Sequence, residues 1–121
     1  MNKEQIIDEA YENYITQIRI EFKKWCERNP DTLVDYREDT KELFLKSIKE
    51  DKHWFTGEKF FSKKWGLRIE ERELSEDERY DLCAAQKSKM TAISEEDYIK
   101  YNIPTKLITI TYKEQTIESY E

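Results

Sequence analysis

Residues 2–30, NKEQIIDEAYENYITQIRIEFKKWCERNP, decide the first half of the fold. Ile7, Tyr11, Tyr14, Ile18, Phe22 and Trp25 recur at steps of four, three, four, four and three. That spacing draws one stripe down an α-helix. Asn2 is a capping residue, and Gln5 three positions on completes a capping box. Asn29-Pro30 ends the helix, because the residue before proline is pushed out of the α region. The pattern predicts a helix of about 26 residues, roughly 39 Å long at 1.5 Å per residue. Its stripe reads first as core, which would bury Phe22 and Trp25. The alternative is the seam of a homodimer through this helix, and spacing alone leaves both open.

At the other end the period changes from 3.6 to 2. Residues 107–112, LITITY, alternate and are β-branched, and residues 116–120 form a weaker partner strand. Lys113-Glu114-Gln115 between them predicts a hairpin turn. Working inward, Pro30 opens a predicted short helical turn over residues 31–36. A second helix is expected from residue 40 to 52, with Asp39 and Glu42 as the capping pair. A third, short helix is expected from Gly57 to Trp65, with Gly66 in the left-handed cap position. Residues 67–74 read as an edge strand that becomes a charged loop. Ser75 with Glu78 is a capping box for a helix to about Lys89, and Ser94 with Asp97 repeats the signal for a short helix ending near Asn102. The expected fold is one α+β domain over residues 1–121. It is mostly helical, with a C-terminal hairpin and room for a three-stranded antiparallel sheet that includes residues 67–73.

Forty per cent of the 121 residues are charged, a proportion that leans towards disorder. Eight Tyr, five Phe, three Trp and thirteen Ile, against two Gly and two Pro, point the other way. A folded chain with a modest core follows, its large rings keeping one edge at the surface. Cys26 and Cys83 make no CxxC pair and are expected to be reduced thiols in a cytoplasmic protein. The first twenty residues lack a basic stretch followed by an apolar one, and no apolar run suits a membrane span. No membrane partner is expected.

Several chemistries lack their residues. His53 is the single histidine, so no His-based metal site or His–His pair can form. With glycine only at 57 and 66, neither a P-loop nor a dinucleotide fingerprint is present. No catalytic residue, metal site or cofactor is expected. His53 itself reads as a helix-end or surface side chain rather than a general base. Acidic residues cluster at Asp35, Glu38 and Asp39 and at Glu70, Glu71 and Glu73. With these, Ile69-Glu70 and Tyr112-Lys113-Glu114 supply the ingredients of a metal-dependent nuclease or phosphodiesterase, a third reading without recognisable spacing.

What remains is the sorting of charge. Residues 41–68 hold eight Lys/Arg against four Asp/Glu, whereas residues 69–98 hold four against ten. Such asymmetry bears on partners and encounter rates rather than on fold. The leading expectation is a small acidic, non-enzymatic interaction protein. It would bind a basic protein through Glu70, Glu71, Glu73, Asp77, Tyr80, Asp81 and Tyr98, where Tyr offers rigid area and carboxylates steer the encounter. Its sharpest form is a phage-encoded inhibitor of a host nucleic-acid-processing or defence enzyme. The alternative is nucleic-acid binding by the basic-aromatic block 52–68, through Trp54, Lys59, Lys63, Lys64 and Arg68.

Overall fold

The computed structural model describes residues 1–87 and 92–121. Among the described residues, five helices and three strands follow in the order α1 (Lys3–Arg28), α2 (Lys41–Glu50), α3 (Phe61–Trp65), β1 (Leu67–Glu73), α4 (Glu76–Gln86), α5 (Glu95–Lys100), β2 (Lys106–Tyr112) and β3 (Gln115–Tyr120). The fold is α+β, with a three-stranded antiparallel sheet ordered β1-β2-β3. The chain divides into two compact units. Unit 1 is Met1–Ile69 with Ile110–Ile117, and unit 2 is Glu70–Thr109 with Glu118–Glu121.

In unit 1, α1 begins at the capping box foreseen from sequence: the Gln5 amide donates to Asn2 Oδ1, and the Asn2 amide to Gln5 Oε1, both at 2.9 Å. The Asn29 amide closes the far end on the Cys26 and Trp25 carbonyls. The buried residues of α1 are Ile6, Ile7, Ala10, Tyr14 and Ile15. Tyr14 is the pivot of an aromatic core. Its ring stacks on Phe44 at 4.8 Å and meets Phe61 and Trp65 edge-on at 5.6 and 4.8 Å. Such pairs add to the burial of large apolar rings. Ile48, on the face of α2 that carries Phe44, completes this cluster of buried side chains.

Unit 2 is built on α4 and α5, both opened by the expected capping boxes at Ser75/Glu78 and Ser94/Asp97. Leu74, Cys83, Ile103 and Ile108 are buried apolar residues among those described in this unit. Lys87 reaches Asp97 at 2.8 Å and so ties the end of α4 to α5. Helix α4 stops short of the end expected near Lys89: Lys87 is already extended, its amide bonded to the Cys83 carbonyl, and residues 88 and 89 lie outside the described residues. In β2, Ile108, Ile110 and Tyr112 are buried in alternation, which is the physical content of the period-2 signal.

The structure corrects several local expectations. Residues 31–36 are not helical; a turn at Pro30 and Asp31 leads into irregular backbone. Thr40, not Asp39, caps α2 by accepting from the Leu43 amide, since the Asp39 carboxylate is bonded elsewhere. Helix α3 starts at Phe61 rather than Gly57, because Gly57 turns the chain at φ +74° and Phe60 is also left-handed. Gly66 does occupy the left-handed cap, at φ +67°. Strand β1 runs over Leu67–Glu73 as the third strand the sheet had room for, and does not lapse into a charged loop. As an edge strand it can leave Glu70, Glu71 and Glu73 exposed to water.

The long stripe of α1 is core only in its first half. Beyond Ile15 burial falls away: Ile18 and Phe22 are half-buried, Phe22 stacks on Tyr36 at 4.4 Å, and Trp25 is 37% exposed. A 26-residue helix outruns the material available to cover it. Phe44→Ala, which empties a fully buried ring site, should therefore cost about 3–5 kcal/mol. Trp25→Ala should cost less than half as much. Urea unfolding of the two variants measures the difference, and equal losses would mean that the far end of α1 is covered after all.

Candidate functional site

Asp39 organises the most developed polar site, which lies wholly within unit 1. Its carboxylate is 11% exposed and accepts three side-chain hydrogen bonds. Tyr14 Oη donates to Oδ2 at 2.7 Å, His53 Nε2 lies 2.8 Å from the same oxygen, and Trp54 Nε1 donates to Oδ1 at 2.9 Å. The Asp39 carbonyl also accepts from Tyr11 Oη. Burial works to raise the carboxyl pKa, but the bonds from Tyr14, Trp54 and His53 outweigh it, and the group is held below the ordinary aspartate range. The same arrangement raises the Tyr14 hydroxyl, first by burial and then by its bond to the anion.

His53 is locked on both sides. Its Nδ1 accepts from the backbone amides of Phe55 at 3.2 Å and Thr56 at 3.0 Å. Two donors aimed at Nδ1 require a lone pair there, so the ring proton sits on Nε2 and is directed at Asp39. The imidazole is thereby a staple of the 53–56 loop, with neither nitrogen left to take a proton from a substrate. The Trp54 amide is fixed in turn by Ser47 Oγ, a fully buried hydroxyl that donates to the Leu43 carbonyl.

Beside this knot runs an open groove of about 580 Å³. Tyr14, Ile15 and Ile18 line it from α1; Asp39, His53, Trp54 and Phe55 line it from the loops, together with Asp35 and Arg37. Trp54 and Phe55 are 41% and 78% exposed, their ring centroids 5.4 Å apart at 48°. Arg37 is paired with Asp35 at 3.2 Å, both largely in water.

The residues singled out from the sequence separate cleanly between the units. Glu70, Glu71, Glu73, Asp77, Tyr80, Asp81 and Tyr98 all belong to unit 2. Asp77, Tyr80 and Asp81 are exposed at helical spacing on one face of α4, and the three glutamates are exposed on β1. Tyr98 is half-buried on α5, under the Arg79 guanidinium at 5.0 Å. Glu78 is taken by Arg72 at 2.7 Å and by Ser75, which hold its carboxyl down to about 2. Trp54, Lys59, Lys63, Lys64 and Arg68 all belong to unit 1. Of these, Lys64 pairs with Glu58 at 2.9 Å and lies 5.4 Å from the Trp65 ring centre, while the Trp54 indole is bonded to Asp39.

The site that reasoning from sequence missed is the Asp39–Tyr14–His53 knot and its groove. Asp39 is 25 residues from Tyr14 and 14 from His53, so no local spacing could announce their meeting. The cysteines are unbridged, Cys26 half-buried and Cys83 buried. Among the described residues, no group of three His, Cys, Asp or Glu is placed to hold a metal, and no helix is long and apolar enough to cross a membrane. Compared with models of protein families, with curated proteins and with solved structures, the chain has no significant match.

Asp39→Asn puts an amide among three donors and should cost about 2–4 kcal/mol at neutral pH. The pH profile gives the sign. The folded carboxyl is lower than the unfolded value of about 3.9, so the contribution of Asp39 is complete above that value and is lost as pH falls through the folded one. Urea melts across the acid range should therefore show a shallower fall in stability for Asp39→Asn than for wild type. Parallel profiles would remove the carboxylate from its role.

Proposed function

We propose that this chain is a non-enzymatic interaction module that binds a basic protein through the acidic surface of unit 2. One observation carries the reading. Unit 1 contains fifteen Lys/Arg and fifteen Asp/Glu, whereas unit 2 contains six against twelve, so the whole formal charge of −6 belongs to unit 2. The division follows contacts between residues, so the excess carboxylates fall within one compact body. Asp77, Tyr80 and Asp81 on α4 supply the elements of a contact surface: one rigid, half-apolar ring between two carboxylates. The engagement of both His53 nitrogens favours binding over acid–base catalysis. The sharpest form of the reading is a phage-encoded inhibitor that occupies the basic groove of a host nucleic-acid-processing or defence enzyme.

A second reading, nucleic-acid binding by the block 52–68, draws support from the exposure of Trp54, Phe55 and Phe60 beside lysines. The zero net charge of unit 1 weighs against it.

The variant Asp77→Lys/Tyr80→Ala/Asp81→Lys separates the two. Affinity capture from the native host, read by mass spectrometry, should recover a basic protein with wild type and lose it with this variant. The on-rate of that protein should fall as salt rises, because steering by exposed charges is screened beyond about 8 Å at physiological ionic strength. A mobility shift with mixed DNA and RNA that disappears in Lys59→Glu/Lys63→Glu/Lys64→Glu would favour the second reading. Capture unchanged by the α4 variant would overturn the first.

A further inference from the structure

We propose that the groove of unit 1 is a receptor for an arginine side chain of a partner protein. Three features converge on that chemistry. First, the wall is aromatic and fixed: Trp54 is held by its indole bond to Asp39 and by its amide bond to Ser47, and Phe55 stands beside it largely exposed. Flat π faces attract a guanidinium, which can stack on them as an ammonium cannot. Second, the groove holds one uncompensated anion. Asp35 and Arg37 neutralise each other, and the Nε2–H form of His53 is uncharged, so Asp39 sets the sign of the lining. Among the described residues its Oδ2 accepts two side-chain bonds and Oδ1 one, which leaves Oδ1 capacity for a further donor. Third, about 580 Å³ is far more than an ion needs. It suits a whole side chain with its alkyl stem against Ile15 and Ile18, within the usual range of ligand sites of roughly 300–1,000 Å³.

The knot explains why the site is ready before binding. An anion in an apolar groove would normally be lost to protonation, yet three donors keep Asp39 ionised while its surroundings stay apolar. Incoming arginine therefore meets a preformed charge and a preformed wall, with little ordering left to do. This site belongs to unit 1, and the proposal does not rest on the reading given for the acidic surface of unit 2.

The test uses the intact chain labelled with ¹⁵N, in which Trp25, Trp54 and Trp65 each give an indole N–H resonance. The probes are N-acetyl-arginine amide, its neutral isostere N-acetyl-citrulline amide, and N-acetyl-lysine amide. The Trp54 resonance should move saturably with the arginine probe, about tenfold more weakly with citrulline, and more weakly with lysine than with arginine. Phe55→Ala changes an exposed ring outside the knot, so it should weaken arginine binding while leaving the melting temperature unchanged. A fourth probe, a short arginine-containing peptide, should bind more tightly than the single amino acid; if it does not, the groove takes a free guanidinium compound and the partner-protein assignment fails. Equal affinity for arginine and citrulline, no saturable shift at Trp54, or full binding by Phe55→Ala would each overturn the proposal.

Discussion

A carboxylate that is nine-tenths shielded from water must find donors or give up its charge, and that requirement governs unit 1. Asp39 meets it with Tyr14, His53 and Trp54, and each donor already belongs to something else. Tyr14 is the centre of the aromatic core on α1. His53 holds the 53–56 loop by accepting two backbone amides. Trp54 is anchored through Ser47 to α2. The hydrogen bonds thus tie core, helix and loop to one oxygen pair, and the bonds are strong because the acceptor is charged and poorly hydrated. Thr40, the next residue, then caps α2, so the placement of Asp39 also fixes where that helix can start.

The groove inherits its character from this knot. Its polar groups point at each other, which leaves an apolar wall around a single charge. Such a surface is unusual for an exposed site, because Trp54 and Phe55 would ordinarily be drawn inward. They stay out because the indole N–H and two backbone amides of the loop are already bonded in the present position. Exposed aromatic area held in place costs little ordering on contact with a partner, which is what makes aromatic residues effective anchors.

Charge is handled differently in the two units. In unit 1 the charges balance, and many are paired, as in Arg19 with Glu38, Lys41 with Asp8, Lys64 with Glu58 and Lys113 with Glu9. Exposed pairs of this kind contribute little to stability, but they cancel the field of the unit. Unit 2 keeps an excess of six carboxylates. Several have internal duties: Glu78 and Asp97 close capping boxes and meet Arg72 and Lys87. Asp77 and Asp81 lie exposed on α4, and their field reaches solvent.

Where an element depends on neighbours in the chain, the sequence determined it. The 3.6-residue stripe gave α1 its type, and the Asn2/Gln5 box and Asn29-Pro30 its two ends; the Ser75/Glu78 and Ser94/Asp97 boxes started α4 and α5; the alternation in β2 announced a strand buried on one face. These signals are legible because capping and periodicity act over three or four residues. Tertiary structure alone decided which part of the α1 stripe is core, since that depends on where Phe44, Phe61 and Trp65 meet the helix, which is at Tyr14. It decided that Asp39 would not cap α2, because Tyr14, His53 and Trp54 compete for its oxygens from 14 to 25 residues away. The division of charge needed no long-range closure, since residues 1–69 already carry fourteen Lys/Arg and fourteen Asp/Glu and residues 110–117 add one of each. Tertiary structure decided instead how the last strands are shared: residues 110–117 return to the first unit and 118–121 to the second, and only the closing of the chain on itself makes that assignment.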